Sequence, residues 1–251
     1  IVADLEFARD ILWSYLPIGF PPYPERKEIE IYATMHTAKE VGGDFYDFFL
    51  IGERRLVVLI ADVSGKGIPA ALFMMTAKTL IQNLAESGAS PDKVFTEANK
   101  HLCANNEVGM FVTAFMGLLE LDTGTFSYVN AGHNPPLLKR AGGPYAWLKA
   151  PPGFVLGGVE GIRYSQNTLQ LNAGDTLYLY TDGVTEALNP GQALFSESRL
   201  EATLNAEAAR NMDVTRLLRH IKQAIDLFAA GAEQADDITM LGIEYKGRGP
   251  Q

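Results

Sequence analysis

The spacing of apolar residues near the N-terminus predicts a helix, a connector and then the first strand of a folded domain. Apolar residues recur every three or four positions over residues 5–16, which predicts a short amphipathic helix. Pro17 ends this helix, and the proline-rich residues 18–24 predict a stiff connector. From Glu28 onward charged and apolar residues alternate, which is typical of a half-buried strand.

Further along the chain, strands and helices are predicted in groups. Runs of apolar and often β-branched residues predict strands at residues 55–61, 111–121, 125–130, 168–171, 176–181 and 238–245. Helical spacing, with Pro69 and Pro91 in first-turn positions, predicts helices at residues 68–86, 90–105, 196–209 and 214–230. Glycine and proline predict an irregular excursion over residues 140–161. Because the groups do not alternate strictly, the order favours an α+β fold of antiparallel sheets covered by helix pairs.

The net charge of the chain limits which kinds of molecule we expect it to bind. The chain of 251 residues carries 21 Lys and Arg against 30 Asp and Glu, a formal net charge of -9. Nucleic-acid backbones and anionic membranes are negatively charged, so they repel an acidic protein surface. We therefore expect neither nucleic-acid binding nor membrane contact by this fragment.

Cysteine content and the chain start bear on the compartment. Cys103 is the single cysteine, so no intrachain disulfide can form, which fits a reducing, cytoplasmic compartment. No apolar run approaches the roughly 20 residues that a membrane helix needs. The acidic and basic residues near the start are unlike a signal peptide. The chain begins with Ile1 rather than Met, so we expect a piece of a longer protein.

Several common catalytic motifs can be excluded. Gly65-Lys66-Gly67 lacks the leading glycine and the trailing hydroxyl of a phosphate-binding P-loop. Ser64 lacks the flanking glycines of a nucleophile elbow, and no HExxH sequence is present. With four histidines in the chain, a histidine-based zinc site is not indicated.

Aspartates stand at the ends of predicted strands. Asp62 and Asp182 each end an apolar strand and are followed closely by glycine, while Asp44 follows a Gly-Gly pair and Asp237 opens the last strand. Each one alone is typical of a turn. If the strand ends converge, however, the carboxylates repel one another unless cations are bound. Such oxygen ligands select magnesium or manganese, and two such ions form the clamp of phosphoryl-transfer hydrolases.

Five motifs in a fixed order carry a family resemblance. They are Val-Gly-Gly-Asp-Phe-Tyr-Asp at 41–47, Ala-Asp-Val-Ser-Gly-Lys-Gly-Ile-Pro-Ala-Ala-Leu at 61–72, Asn-Ala-Gly-His-Asn-Pro-Pro-Leu at 130–137, Tyr-Thr-Asp-Gly-Val-Thr-Glu-Ala at 180–187 and Asp-Asp-Ile-Thr at 236–239. Residues 28–245 thereby resemble the PPM-type serine/threonine protein phosphatases, in the branch of bacterial stage II sporulation protein E. The resemblance implies a four-layer α-β-β-α sandwich, with two antiparallel sheets packed face to face and helix pairs outside.

The resemblance also implies roles for individual residues. Asp62 would bridge two Mn²⁺ or Mg²⁺ ions, and Asp182 and Asp237 would complete the first metal site. The backbone carbonyl of Val63 and the carboxylate of Asp44 would hold the second ion. These four aspartates are the residues implied to be catalytic, because the bound ions would activate the attacking water.

Three positions leave questions open. Asp236 is the less favoured member of the final acidic pair, and Lys66 stands where many relatives carry histidine, so neither receives a catalytic role. His133 lies in a turn-like motif, which favours a structural role over catalysis. No counterpart of the phosphate-gripping arginine of eukaryotic members is evident, so substrate anchoring stays unassigned.

The domain plan and partners follow from the same resemblance. Residues 1–24 are expected to form a linker from an upstream sensor domain, residues 25–246 the phosphatase domain, and residues 247–251 a tail. The expected substrate is a phosphorylated signalling protein of the anti-sigma-factor-antagonist type, with dimerisation through the N-terminal helix. Two alternatives stay open: a catalytically weak or inactive signalling module of the same fold, and a two-metal phosphodiesterase or nuclease.

Overall fold

A computed structural model describes residues 2–149, 151 and 153–248 of the chain. These residues divide into two compact units. Unit 1 contains the described residues of 1–18, 39–133 and 150–171, and unit 2 contains those of 19–38, 134–149 and 172–251. The predicted boundaries at residues 24 and 246 do not coincide with this division and stay predictions, and residues 249–251 of the predicted tail lie outside the described residues.

The described residues form five helices and ten strands. The helices are α1 Val2–Ser14, α2 Ile68–Glu86, α3 Pro91–Ala104, α4 Ser196–Ala208 and α5 Val214–Ala229. The strands are β1 Ile29–His36, β2 Phe45–Ile51, β3 Arg55–Val63, β4 Val112–Glu120, β5 Thr125–Ala131, β6 Leu137–Lys139, β7 Tyr145–Trp147, β8 Asn167–Gln170, β9 Asp175–Tyr180 and β10 Ile238–Tyr245.

Unit 1 is built on an antiparallel sheet, here sheet I, with the order β2-β3-β4-β5-β8. Its strand β3 is buried from Leu56 to Ala61 on both faces, as its continuous apolar run predicts. Helix α2 contacts β2 and β3, and helix α3 contacts β4 and β5. A helix pair therefore covers sheet I.

Unit 2 is built on a second antiparallel sheet, sheet II, with the order β1-β10-β9-β6-β7. Strand β1 buries every second residue from Ile29 to Met35, which is the predicted period of two. Helix α5 contacts β1 and β10, while α4 contacts β7 and α5. The α+β prediction of antiparallel sheets with helix pairs is confirmed.

Some sequence-based boundaries were wrong. Strand β2 was not predicted, because its first four residues are buried on both faces and show no alternation. Strands β6 and β7 have three residues each, and β7 lies inside the predicted excursion at 140–161, where pairing of Leu137 with Trp147 holds it in sheet II. Helix α1 ends at Ser14 rather than at residue 16, since Leu16 N–H donates to the Trp13 carbonyl in a tighter turn.

No helix in the described part of the chain has both the length and the apolar character needed to cross a membrane. In unit 1, Asp44 directly precedes β2 and Asp62 lies near the end of β3. The corresponding acids of unit 2 follow β9 and precede β10.

Candidate metal centre

The register of β2 and β3 places two predicted ligands opposite each other. Phe45 pairs with Ala61, and the Val63 N–H donates to the Gly43 carbonyl at 3.3 Å. Continued by one residue, this register sets Asp44 across from Asp62, and side chains of opposed residues share one face of a sheet. Asp44 is 3% exposed and Asp62 is half-buried. Unit 1 thus brings two of the predicted carboxylates together.

Gly43 allows the backbone around these acids to pack closely. A Cβ at Gly43 would lie 2.9 Å from the Val63 carbonyl oxygen and 3.2 Å from the Cβ of Ala70. Since real Cβ atoms do not approach oxygen so closely, a larger residue at position 43 would displace Val63 or the first turn of α2. The Val63 carbonyl, which the resemblance assigns to metal binding, is therefore held by close packing.

The loop that follows Asp62 is fixed by hydrogen bonds. The Ser64 N–H donates to the Phe111 carbonyl, and the Phe111 N–H donates to the Ser64 hydroxyl, both at 2.9 Å. Gly65 and Gly67 adopt φ values of 85° and 71°, which favour glycine, and α2 begins immediately afterwards. Lys66 is exposed on this loop.

Unit 2 positions its acids at the adjoining ends of β9 and β10. The Thr181 N–H donates to the Thr239 carbonyl at 3.0 Å, and the Thr239 N–H donates to the Thr181 hydroxyl at 3.1 Å. These bonds extend the pairing past the last residue of β9 to the position next to Asp182. A Cβ at Gly183 would lie 1.8 Å from the Asp237 carbonyl oxygen, so only glycine permits this approach.

The two aspartates of the final acidic pair bond to different backbone N–H groups in unit 2. Asp237 is 6% exposed, and its Oδ1 accepts the Ala38 N–H at 2.9 Å, which orients the carboxylate. Asp236 Oδ1 accepts the N–H of Asp237 at 2.9 Å, as turn-forming aspartates commonly do. Each carboxylate of the pair thus accepts a backbone N–H, and the choice of Asp237 over Asp236 as a metal ligand stays a prediction.

Each unit therefore presents a pair of aspartates at strand ends: Asp44 with Asp62, and Asp182 with Asp237. Carboxylate and carbonyl oxygens fit a hard divalent cation in their chemistry. Within residues 2–149, 151 and 153–248, no group of three or more His, Cys, Asp or Glu side chains is placed to hold a metal ion. The assignment of the two pairs to one metal centre stays a prediction.

His133 lies in the turn that the sequence predicted for it. Its N–H donates to Asn130 Oδ1 at 2.7 Å, and Asn130 Nδ2 donates to its carbonyl at 2.9 Å. The buried imidazole Nδ1 lies 3.0 Å from the Thr113 hydroxyl, which in turn lies 3.5 Å from the Asp62 carbonyl. The turn that contains His133 is thus linked to the end of β3 through the hydroxyl of Thr113.

Sequence reasoning missed a buried ion pair beside this site. Lys78 Nζ lies 3.0 Å from Asp47 Oδ2, and both residues are almost fully buried. Burial raises the pKa of Asp47, and the ammonium of Lys78 partly offsets that rise. The sequence did contain a signal, because Lys78 interrupts the apolar face that Met74 and Ile81 define on α2.

Comparison with solved structures places the fold in a known class. The chain superposes on the SiaA-PP2C domain of Pseudomonas aeruginosa with a TM-score of 0.84 and 19% identity, covering 97% of this chain and 96% of that one. The PP2C phosphatase domain of SpoIIE from Bacillus subtilis gives a TM-score of 0.74 at 17% identity, over 88% of this chain and 64% of that one. The fold is therefore that of the PP2C phosphatase domains.

The chain can also be assigned to a family, which is a smaller group than all proteins that share its fold. Residues 52–246 match the family model described as stage II sporulation protein E (SpoIIE), and the chain belongs to that family. The resemblance found in the five motifs is confirmed.

Two curated relatives show how much of a longer protein the chain resembles. Protein IcfG of Synechocystis sp. is 31% identical over 96% of this chain and 41% of its own length. The phosphoserine phosphatase RsbU of Bacillus subtilis is 34% identical over 74% of this chain and 54% of its own length. The chain thus spans about half the length of these relatives.

Proposed function

We propose that this chain is a metal-dependent protein phosphatase that hydrolyses phosphoserine or phosphothreonine on a partner protein. The observation that carries the proposal is the pair of aspartates at adjoining strand ends in each unit, in a chain of the SpoIIE family. Two closely packed glycines, Gly43 and Gly183, stand beside these pairs and suit a site where backbone and ligand approach closely.

The proposed cofactor is a pair of Mn²⁺ or Mg²⁺ ions held by Asp44, Asp62, the Val63 carbonyl, Asp182 and Asp237. When bound, two such ions supply an activated water and stabilise charge on the phosphoryl oxygens. Support comes from two solved structures of the same fold. The PstP catalytic domain, with a TM-score of 0.57, is a complex with two manganese ions, and RsbX, with a TM-score of 0.64, is a complex with magnesium.

The protein's own part in this mechanism is to fix the acids before substrate arrives. The β2–β3 register holds Asp44 and Asp62 on one face of sheet I, and the Ser64–Phe111 bonds hold the loop that follows. The Ala38 N–H orients Asp237. Because the attacking group would be water, this chemistry needs no side-chain nucleophile, which agrees with the absence of a nucleophile elbow in the sequence.

The proposed substrate is a small phosphorylated signalling protein of the anti-sigma-factor-antagonist type. The relatives RsbU and RsbP of Bacillus subtilis are described as phosphoserine phosphatases. A solved structure from Mycobacterium tuberculosis, 26% identical with a TM-score of 0.73, contains RsbU and RsbW domains of one protein. We propose that this chain acts in the cytoplasm, or as the cytoplasmic portion of a longer sensor protein.

We further propose that residues 1–24 link the domain, residues 25–246, to an upstream sensor, and that α1 mediates dimerisation. Helix α1 lines an apolar groove of about 580 Å³ together with residues of α2. Phe7 and Ile11 on α1 and Leu72 on α2 are exposed apolar side chains of the same unit. A molar mass of one chain in light scattering at micromolar concentration would contradict dimerisation.

Phosphate release decides between the enzyme and a binding module of the same fold. The chain is assayed with p-nitrophenyl phosphate and with a phosphoserine-containing antagonist protein, each with manganese titrated and with a chelator. We expect release that rises with manganese and disappears with the chelator, because the carboxylates act through bound cations. Binding of the phosphoprotein without any metal-dependent release would overturn the enzyme proposal and favour the signalling module.

A further inference from the structure

The buried ion pair between Lys78 on α2 and Asp47 on β2 places two charged side chains in the core of unit 1. The two side chains are 4% and 6% exposed, and their charged atoms lie 3.0 Å apart. Lys78 Nζ also lies 3.4 Å from Gln82 Oε1, and Gln82 Nε2 donates to Glu86 Oε1 at 3.0 Å. The ammonium therefore has directional partners on both the strand and its own helix.

A contribution to the stability of the fold does not explain why this ion pair is buried. Apart from Lys78, the buried residues of α2 are apolar: Ala70, Ala71, Met74, Ala77, Ile81 and Ala85. Removing two charges from water costs several kcal/mol per ion, and well-packed hydrophobic replacements of similar volume are often equally stable or more so. In some proteins a buried polar or ionic contact instead specifies one packing arrangement, which non-directional apolar contacts do not do.

The elements joined by the pair are those that carry the acids of unit 1. Strand β2 begins directly after Asp44, and Asp47 lies three residues further on. In the first turn of α2, Ala70 packs close to Gly43, which also lies against the Val63 carbonyl. Lys78 is eight residues along α2 from Ala70, which is about 12 Å of helix. Helix α2 is thus held on sheet I at two separated points, one of them at the proposed metal site.

We propose that the Lys78–Asp47 pair is a positioning device that sets the register of α2 on β2 and thereby the placement of Asp44 and the Val63 carbonyl. The proposal rests on the phosphatase function proposed above. Neither residue touches substrate or metal in this account. Loss of the pair with conserved volume shifts α2 along its apolar contacts and weakens the metal site while the fold persists.

The test replaces the pair by apolar residues, in the double variant Asp47→Leu/Lys78→Met. Three quantities are measured in the variant and in the wild type: the melting temperature, the manganese Kd by calorimetry, and hydrogen exchange of residues 64–67. We expect an equal or higher melting temperature, faster exchange in this loop, and a manganese Kd raised by about tenfold or more, the range for residues that orient metal ligands.

A matched control removes an exposed ion pair from the same unit. Glu97→Leu/Lys100→Met deletes a pair on α3 whose side chains are 43% and 67% exposed, and it should change none of the three quantities. If the double variant does not fold, the nearly isosteric Asp47→Asn replaces it, with a smaller rise in Kd expected. Wild-type manganese Kd and loop exchange in the variant, whatever its melting temperature, would overturn the positioning role.

The two proposals fail in different ways. If the wild type binds no manganese, the proposed function fails, and the exchange of residues 64–67 still decides whether the ion pair positions the loop. If the wild type binds manganese and the variant binds it equally well with unchanged exchange, the positioning role alone is wrong.

Discussion

Helix α2 in unit 1 and helix α5 in unit 2 pack on their sheets in different ways. The buried residues of α5 are all apolar: Val214, Leu217, Leu218, Ile221 and Ile225. The start of α5 is fixed by Asp213, whose carboxylate accepts the Arg216 N–H at 2.7 Å. Helix α2 follows Gly67, which has no side chain to cap it, and carries Lys78 on its buried face. Helix α5 thus combines a side-chain cap with an apolar buried face, whereas α2 lacks a side-chain cap and buries a charge pair.

The difference shows that burial of an apolar face does not fully determine where a helix lies on its sheet. Apolar burial drives α5 and α2 onto their sheets and supplies most of the stability, but it sets position along the helix axis weakly. Helix α2 begins shortly after the proposed ligand Val63. In our proposal, a directional contact, the buried ion pair, fixes the position of α2 on its sheet there. The comparison leads to predictions for both units.

The largest expected effect tests whether both units serve one reaction. Asp62→Asn in unit 1 and Asp182→Asn in unit 2 should each lower the rate of manganese-dependent phosphate release by about 10²–10³-fold or more, since each removes a carboxylate proposed to hold the cations that stabilise transition-state charge. The measurement is steady-state release at saturating manganese. Asp226→Asn, at a carboxylate 60% exposed on α5, is the control and should leave kcat unchanged. Full activity in one of the two variants would mean that its unit does not take part.

Removing only the cation of the buried pair should make stability depend on pH. Lys78→Met leaves Asp47 buried without its partner, which costs about 3–5 kcal/mol of unfolding free energy when the carboxylate is ionised. Burial already raises the pKa of Asp47 above its usual value, and the variant raises it further. The carboxyl is therefore protonated and tolerated at low pH, and the penalty grows as pH rises through the folded-state pKa.

Urea denaturation at pH 5 and pH 8 measures this dependence. The double variant Asp47→Asn/Lys78→Met has no buried carboxyl at this position and should lack the added pH dependence. A loss for Lys78→Met that is the same at both pH values would show that unfolding of the variant releases no proton from Asp47 between pH 5 and pH 8, and would contradict the further rise in the pKa of Asp47.

An apolar deletion on α5 should cost stability without affecting metal binding. Leu218 is fully buried, so Leu218→Ala should lower the free energy of unfolding by about 2–5 kcal/mol through lost burial and a cavity. The loss should not change between pH 5 and pH 8. Thermal and urea unfolding measure it, with manganese Kd as the second readout. If Leu218→Ala raised the manganese Kd as much as Asp47→Leu/Lys78→Met, the two helices would not differ in their effect on metal binding.

The smallest effect concerns a polar group in the core beneath α5. The hydroxyl of Tyr178 is buried without a hydrogen-bond partner among the described residues, and burial raises the pKa of Tyr178 well above its usual value. Tyr178→Phe should therefore raise the free energy of unfolding by about 1 kcal/mol, because it removes an unsatisfied polar atom. A loss of stability measured by urea unfolding would indicate that the hydroxyl does have a partner in solution.

Much of the fold was predictable because local patterns agreed with burial. The bounds of β10 were predicted as 238–245, and the alternation that starts near Glu28 continues as the buried positions of β1. Strand β2 was missed because its early residues are buried on both faces, so no period of two is visible. Strands β6 and β7 depend on pairing with each other and with β9, which local sequence does not encode.

The candidate acids were found because aspartate at the end of an apolar strand is conspicuous. Their pairing within a unit needed the register: Asp44 faces Asp62 only because Phe45 pairs with Ala61. The role of Lys78 was beyond sequence reasoning, since the pattern of α2 shows a charge on an apolar face but not which strand lies opposite. Contacts between residues 31 positions apart, as in the Lys78–Asp47 bond, become visible only in the folded chain.

Manganese binding to the wild type, titrated by calorimetry with phosphate release recorded at each point, decides whether the two aspartate pairs act through bound cations. We expect two ions per chain, release that rises only as the ions bind, and loss of both signals in Asp62→Asn and in Asp182→Asn. Phosphate release that persists in chelator, or a wild-type chain that binds no manganese, would contradict this expectation.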